Sequence, residues 1–447
     1  MRPCFLGGLA ALALCAQLAS AQNVVIVNAK IPDAPGKDAV LVAGGKIVQL
    51  VSGRPRVPGR MPVLDAQGAT LLPGRIDAWA AVEGNSRLGT ALDGFDPYDV
   101  DFMAEAYSQG VTALCLTPDH HREGINGLAA VVRLLPKVAK PEERVLSDAV
   151  ALCAGLGVGE GALTRVEHWG KLREAFAEAK RYQEAWLDYR EELDAYVKEL
   201  PAVAEVDSGT KPAPEKDAKD KDAKDKDAKD KDAKDKGPKA PSEPPRDRGK
   251  DAMVRALSGE LPLRLHVERV SDVINALELA EEFKLRLVLE GGREAYLAAS
   301  ELAAAEVAVV LGPAIPPTVS GAQPDEYARG ESAPRPRAGW RELHPVRDRE
   351  GGAALLDAAG VTLAIGTGSL ARSRFVGLNA ELYAAEGLDP ARAEAAVTRA
   401  AARVLGLEGQ VGRVAVGHFA DLTLVDDDGA VVATVVGGQL AYRRKPQ

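Results

Sequence analysis

The feature that most constrains this chain is the order of its apolar segments. Strand-like and helix-like runs alternate through the middle of the sequence, and strand-like runs alone occupy both ends. The interior strand-like runs fall at 75–82 (RIDAWAAV), 111–117 (VTALCLT), 146–153 (LSDAVALC), 261–267 (LPLRLHV), 285–290 (LRLVLE), 307–312 (VAVVLG) and 361–367 (VTLAIGT). Segments 271–284 and 293–305 lie between them and carry apolar residues at helical spacing. Repeated β-then-α units bury a parallel sheet under helices, and this many of them predict a TIM-like (β/α)8 barrel. Chemistry in such a barrel sits at the C-terminal ends of its strands.

The two ends share one design. Residues 23–51 and 62–72, and again 411–442, read as short strands with turn signals at Gly44-Gly45, Asp427–Gly429 and Gly437-Gly438. The expected fold class is therefore α/β, a barrel plus a small β-sandwich domain formed from both chain ends. The expected boundaries are 22–72 and 408–447 for the sandwich, and 73–165 and 251–407 for the barrel.

Two insertions interrupt the alternation. Between 166 and 200, Trp169, Leu172, Phe176, Ala179, Tyr182, Trp186, Tyr189, Leu193, Tyr196 and Leu200 recur every three or four residues, which predicts an amphipathic helix. Residues 201–250 contain a tandem KDAKD repeat flanked by prolines. The repeat has no aromatic or large apolar residue and cannot bury enough surface to offset chain entropy, so a disordered linker is expected.

Of the 447 residues, 46% are hydrophobic, enough for a large core. The net charge of −9 argues against nucleic acid as a partner. Four cysteines exclude a disulfide-built scaffold. Residues 1–21 combine Arg2, an apolar stretch and Ala19-Ser20-Ala21, the pattern of a bacterial secretory signal peptide. The expectation is an exported protein, periplasmic or extracellular, with no integral membrane segment after cleavage. Cys4 and Cys15 leave with the signal. Cys115 and Cys153 sit in apolar runs and are expected to be buried thiols.

Several stretches resemble one family in the right order. AVLVAGGKIVQLV followed by VLDAQGATLLPGRIDAW resembles the entry of the amidohydrolase superfamily. Residues 110–132 and 259–296 are similar to its middle, and Gly417 with Ala420-Asp421-Leu422 to its closing segment. The group most resembled is the secreted, imidazolonepropionase-related amidohydrolases. The resemblance implies a metal-dependent hydrolase barrel in which divalent metal activates water and polarises a carbonyl. It also implies a His-x-His pair after the first strand, histidines after the fifth and sixth, and an aspartate after the eighth.

Carried over one position at a time, that ligand set breaks. The paired histidines fall on Trp79 and Ala81, the sixth-strand histidine on Gly291 and the eighth-strand aspartate on Gly368. His266 stands at the fifth-strand position, with Glu268 two residues on. A catalytic zinc site needs about three protein ligands and an open position. The first reading is therefore a non-catalytic homologue without a cofactor, whose barrel binds a small molecule or an envelope protein.

A second reading keeps hydrolysis of amide or cyclic amide bonds, with zinc or another divalent metal in a rearranged site. Asp119, His120 and His121 follow one strand, and His266, Glu268 and Glu290 end others, so these are its catalytic candidates at the barrel rim. A third gives the long helix and charged spacer to an interaction with an envelope partner. A homo-oligomer stays open in each. His168, His344 and His418 have no partner by spacing, and Gly155–Gly159 lacks the Lys-Ser/Thr of a phosphate loop.

Overall fold

A computed structural model describes residues 22–55, 61–82, 89–119, 122–138, 140–157, 162–199, 240–314 and 351–445. The expected signal peptide, His120, His121, His344 and the KDAKD repeat lie outside the described residues.

The N-terminal strands β1 (Val24–Val27), β2 (Ala39–Ala43), β3 (Lys46–Val51) and β4 (Val63–Asp65) form one small sheet in the order β3-β2-β1-β4. Strand β5 (Thr70–Pro73) crosses to a second sheet with the C-terminal strands β14 (Leu422–Val425), β15 (Val431–Val436) and β16 (Gln439–Arg443). Ile26, Val40, Ile47, Leu71, Leu422 and Val435 belong to one buried cluster shared by both sheets. The glycine pairs explain the hairpins. Ala43 pairs with Lys46 across Gly44-Gly45, and Val436 with Gln439 across Gly437-Gly438. All four glycines have positive φ, as two-residue turns matched to strand twist require.

The barrel sheet contains β6 (Arg75–Ala81), β7 (Val111–Thr117), β8 (Glu123–Arg133), β9 (Val145–Leu156), β10 (Leu263–Val267), β11 (Leu287–Gly291), β12 (Ala308–Leu311) and β13 (Leu363–Ile365) in sequence order. Neighbours pair in parallel except around β8, which is antiparallel to both β7 and β9. The seven strand-like runs expected from sequence all lie in this sheet, and β8 is the eighth member that the alternation rule missed. Its segment EGINGLAAVVR lacks clean two-residue alternation. It turns straight back from β7 without the crossover helix that a parallel strand needs.

Side chains alternate between two environments. Leu114, Leu116, Leu263, Leu265, Leu289 and Val309 face the helical layer. Ala78, Ala113, Cys115, Val288, Val310 and Ala364 belong to the inner cluster, where small residues dominate. Arg264 reaches into that space, fully buried, and its guanidinium pairs with Glu290 while donating to the carbonyl of Ala78 at 2.5 Å.

The predicted amphipathic helix spans Ala162–Glu199 and starts four residues earlier than expected. It is the second of the helices in the order α1 (Val100–Ser108), α2 (Ala162–Glu199), α3 (Arg248–Leu257) and α4 (Val270–Phe283). Trp169, Leu172, Phe176 and Ala179 are buried with the barrel core. Farther along, Tyr182, Trp186 and Tyr189 stack edge to face, and the Tyr182 hydroxyl donates to Asp251 at 2.8 Å. The expected linker ends sooner than residue 250, because α3 begins at Arg248, N-capped by Asp247.

One ion pair joins barrel and sandwich. Arg133, closing β8, donates to both carboxylate oxygens of Asp421 at 2.7 and 2.6 Å, and the backbone N–H of Gly437 donates to the same carboxylate at 2.8 Å. Both side chains are under a tenth exposed. Removing one partner strands a buried charge, a loss typically of about 3–5 kcal/mol. Asp421→Ala is therefore expected to lower unfolding free energy in urea by roughly that amount. A loss under about 1 kcal/mol would mean that the pair does not bind the two units together.

Candidate functional site at the barrel mouth

The C-terminal ends of the barrel strands bring Trp79, His266, Glu268, Gly291 and Gly368 together. Strand β6 carries a register irregularity between Asp77 and Ala80. Such a bulge re-aims side chains, and here Trp79 joins Ala78 in the inner cluster. The indole is 3% exposed and lies 5.3 Å from the His266 ring, centroid to centroid, at an interplanar angle of 47°.

The neighbouring glycines are shaped to the indole. A methyl group placed on Gly366 would fall 2.3 Å from Cβ of Trp79, and one on Gly312 would fall 3.1 Å from its six-membered ring. Gly368, at the expected aspartate position, has φ +70° and lies 3.9 Å from the same ring by the same measure.

Gly291 is equally constrained. Its φ is +84°, and an added Cβ would meet Glu268 Oε1 at 2.8 Å, the Val267 carbonyl at 2.9 Å and His266 at 3.0 Å. A side chain there pays both backbone strain and collision. Ala81 closes β6, buried and paired with Thr117.

His266 Nε2 is 3.5 Å from Glu268 Oε1, and the other Glu268 oxygen is 3.5 Å from Arg293 Nε. The backbone N–H of Arg293 donates to Glu268 at 3.3 Å. Both side chains of the His266–Glu268 pair are partly exposed. Asp119 is half-buried, two residues past the end of β7.

Glu290 departs from expectation. It was expected at the rim, but it is 3% exposed and held by Arg264 inside the barrel. His266 and Glu290 are in register on adjacent strands, and Arg264 lies two residues before His266 on the same face. A carboxylate aimed at that face meets the guanidinium below the mouth. Burial raises its pKa, with Arg264 acting in the opposite direction. The other histidines lie elsewhere. His168 on α2 contacts the carbonyl of Leu156 and the carboxylate of Glu123, and His418 contacts the carbonyl of Glu408 at 2.9 Å. Among the described residues, no three His, Cys, Asp or Glu side chains converge closely enough to hold a metal ion.

Residues 338–441 match the model of the amidohydrolase family. The structure is similar to an amidohydrolase from Thermotoga maritima MSB8, with TM-score 0.68 at 21% identity over 94% of this chain and 100% of that one. It is also similar to a prolidase complexed with N-methylphosphonate-L-proline, with TM-score 0.51 at 16% identity over 94% of this chain and 100% of that one. The fold is that of the amidohydrolase superfamily. No curated protein sequence matches the chain.

Sequence reasoning passed over two groups that set the geometry of this amidohydrolase-fold mouth. Arg264 announced itself as a lone charge inside the apolar run LPLRLHV. Asp77 is the other. It is fully buried, and its Oδ1 accepts from the backbone N–H groups of Trp79 and Thr367, each at 3.0 Å. Its Oδ2 lies 2.6 Å from the Thr367 hydroxyl, which is also 2.8 Å from the Ser369 carbonyl. One hydroxyl carries one proton. If Thr367 donates to Ser369, Asp77 must hold a proton to complete the chain. Burial pushes the Asp77 carboxyl up to about 6, so that arrangement belongs to lower pH, and above that value the Thr367 hydroxyl donates to the carboxylate.

The sign for stability follows. Between 3.8, the ordinary value, and about 6, the folded protein holds a proton that the unfolded chain has lost. This contribution to stability is present in acid and falls as pH rises through that window, by a few kcal/mol at most. Asp77→Asn keeps the acceptor and supplies a permanent donor. The expected result is a variant whose urea midpoint at pH 7.5 is equal to or above that of the parent, with the decline between about pH 4 and 6 removed. A variant that loses stability equally at pH 4 and pH 7.5 would show that Asp77 works as a carboxylate.

Proposed function

We propose that this chain is an exported amidohydrolase-fold protein that has lost most of the superfamily's metal ligands. Its barrel serves to bind a small molecule or an envelope partner and does not carry out metal-dependent hydrolysis. The observation that carries the reading is Trp79, whose indole lies against His266 at the position the resemblance assigns to a ligand histidine. Gly291 and Gly368, at two further ligand positions, both have positive φ. Among the described residues, the donors do not fit the family's metal centre. Export is supported by the signal-like composition of residues 1–21.

A retained role is supported by how closely Trp79 and its neighbouring glycines fit among the described residues. Loss of ligands without compensation leaves a cavity, and cavities cost stability. Here a large aromatic side chain and three glycines fit one another. One observation favours the second reading, an active hydrolase of C–N bonds on a rearranged site. His266 and Glu268 form a partly exposed acid–base pair, 3.5 Å apart.

A substrate panel separates the two. N-acyl amino acids, dipeptides and cyclic amides, incubated with the protein and with zinc or manganese, are expected to show no turnover above a protein-free control. Metal-dependent turnover that disappears in His266→Ala would replace the first reading by the second.

A further inference from the structure

At the opposite end of the barrel from Trp79, a cavity of about 260 Å³ opens beside the start of β13. Arg392, Arg399 and Arg403 line it, together with Asp357 and Thr362. The arginines come from two consecutive short helices, Pro390–Ala396 and Arg399–Val404. Arg399 and Arg403 are four apart and so share one helix face.

The charge there is unbalanced. Arg392 Nε is 3.8 Å from Asp357 Oδ1. Among the described residues, neither Arg399 nor Arg403 has an ion-pair or side-chain hydrogen-bond partner. Like charges at this spacing repel, and they cost stability without a counter-charge. The chain as a whole is acidic at −9, so three guanidinium groups at one cavity depart from its general surface. Val361, Leu363 and Leu388 also line the cavity and add an apolar surface.

We infer that this cavity is a binding site for a phosphate-bearing anion, independent of the barrel mouth. Guanidinium forks match phosphate oxygens in pairs, and several converging on one site favour a doubly charged head group over a single carboxylate. Thr362 adds a hydroxyl, and the apolar lining accommodates a small organic body. The carboxylate of Asp357 competes for Arg392 and weakens the site.

The test is calorimetric titration of the full chain with pyrophosphate at low ionic strength, with succinate as the comparison anion. One equivalent is expected to bind, more tightly than succinate. The double variant Arg399→Ala/Arg403→Ala is expected to weaken binding by about tenfold or more. Asp357→Asn is expected to strengthen it, a change that damage to the fold would not produce. The substituted arginines are exposed, and equal thermal midpoints check that the variants fold.

Sedimentation with phosphatidic acid vesicles, whose phosphomonoester head group can carry two charges, distinguishes the source. Binding that pyrophosphate displaces identifies a lipid phosphate, whereas pyrophosphate binding without vesicle binding identifies a free one. The proposal is overturned if pyrophosphate does not bind, if succinate binds as tightly, or if the double variant binds unchanged.

Discussion

The barrel meets itself through hydrogen bonds made by Asp77 and Trp79. Strand β13 is three residues long, and β6 and β13 are the two edges of the eight-stranded sheet. The junction is made just beyond β13, where the N–H groups of Thr367 and Gly368 donate to the Trp79 carbonyl at 3.1 and 2.8 Å. The Asp77 carboxyl accepts from Thr367 on the same seam. These bonds hold the backbone on either side of the Trp79 indole, and its described neighbours are placed by it. His266 lies against it, Gly366 admits its Cβ, and Gly312 and Gly368 admit its rings.

The interior below depends on a second constraint. A fully buried guanidinium is tolerated only when its charge and donors are answered. Glu290, the Ala78 carbonyl and the Cys115 sulfur, at 3.4 Å, answer Arg264. The inner cluster can then be lined by alanine, cysteine and valine, because one long side chain crosses the space that they leave. Cys115 and Cys153 are buried free thiols. Burial pushes the Cys115 thiol up to about 11, so it is a packing group and not a nucleophile at neutral pH.

Much of this was legible in the residues. Glycine pairs fixed both hairpins because a two-residue turn of this hand needs positive φ twice. The sandwich from both ends, and seven of the barrel strands, followed from local pattern. Strand β8 did not, because Gly124 and Gly127 blur its alternation and its pairing is set by neighbours distant in sequence. The stripe on α2 shows the same limit. Its period runs unbroken, yet Phe176 is buried in the core while Trp186, Tyr189 and Leu193 are only partly buried, since the barrel surface ends before the helix does. Glu290 was placed at the rim by its position at a strand end. Depth in a barrel depends on tilt and on the partner across the strand, and neither is local. Positions 79, 291 and 368 were identifiable by resemblance alone. The mutual fit of Trp79 with Gly312, Gly366 and Gly368 needed the fold.

We propose that the indole of Trp79 has taken the place of a metal centre. The most direct measurement is elemental mass spectrometry of the purified chain after equilibration with zinc and manganese and dialysis. The expected content is below about 0.1 equivalent per chain, because one histidine beside one glutamate cannot supply the ligands that a tightly held ion requires. Close to one equivalent, lost in His266→Ala, would contradict it.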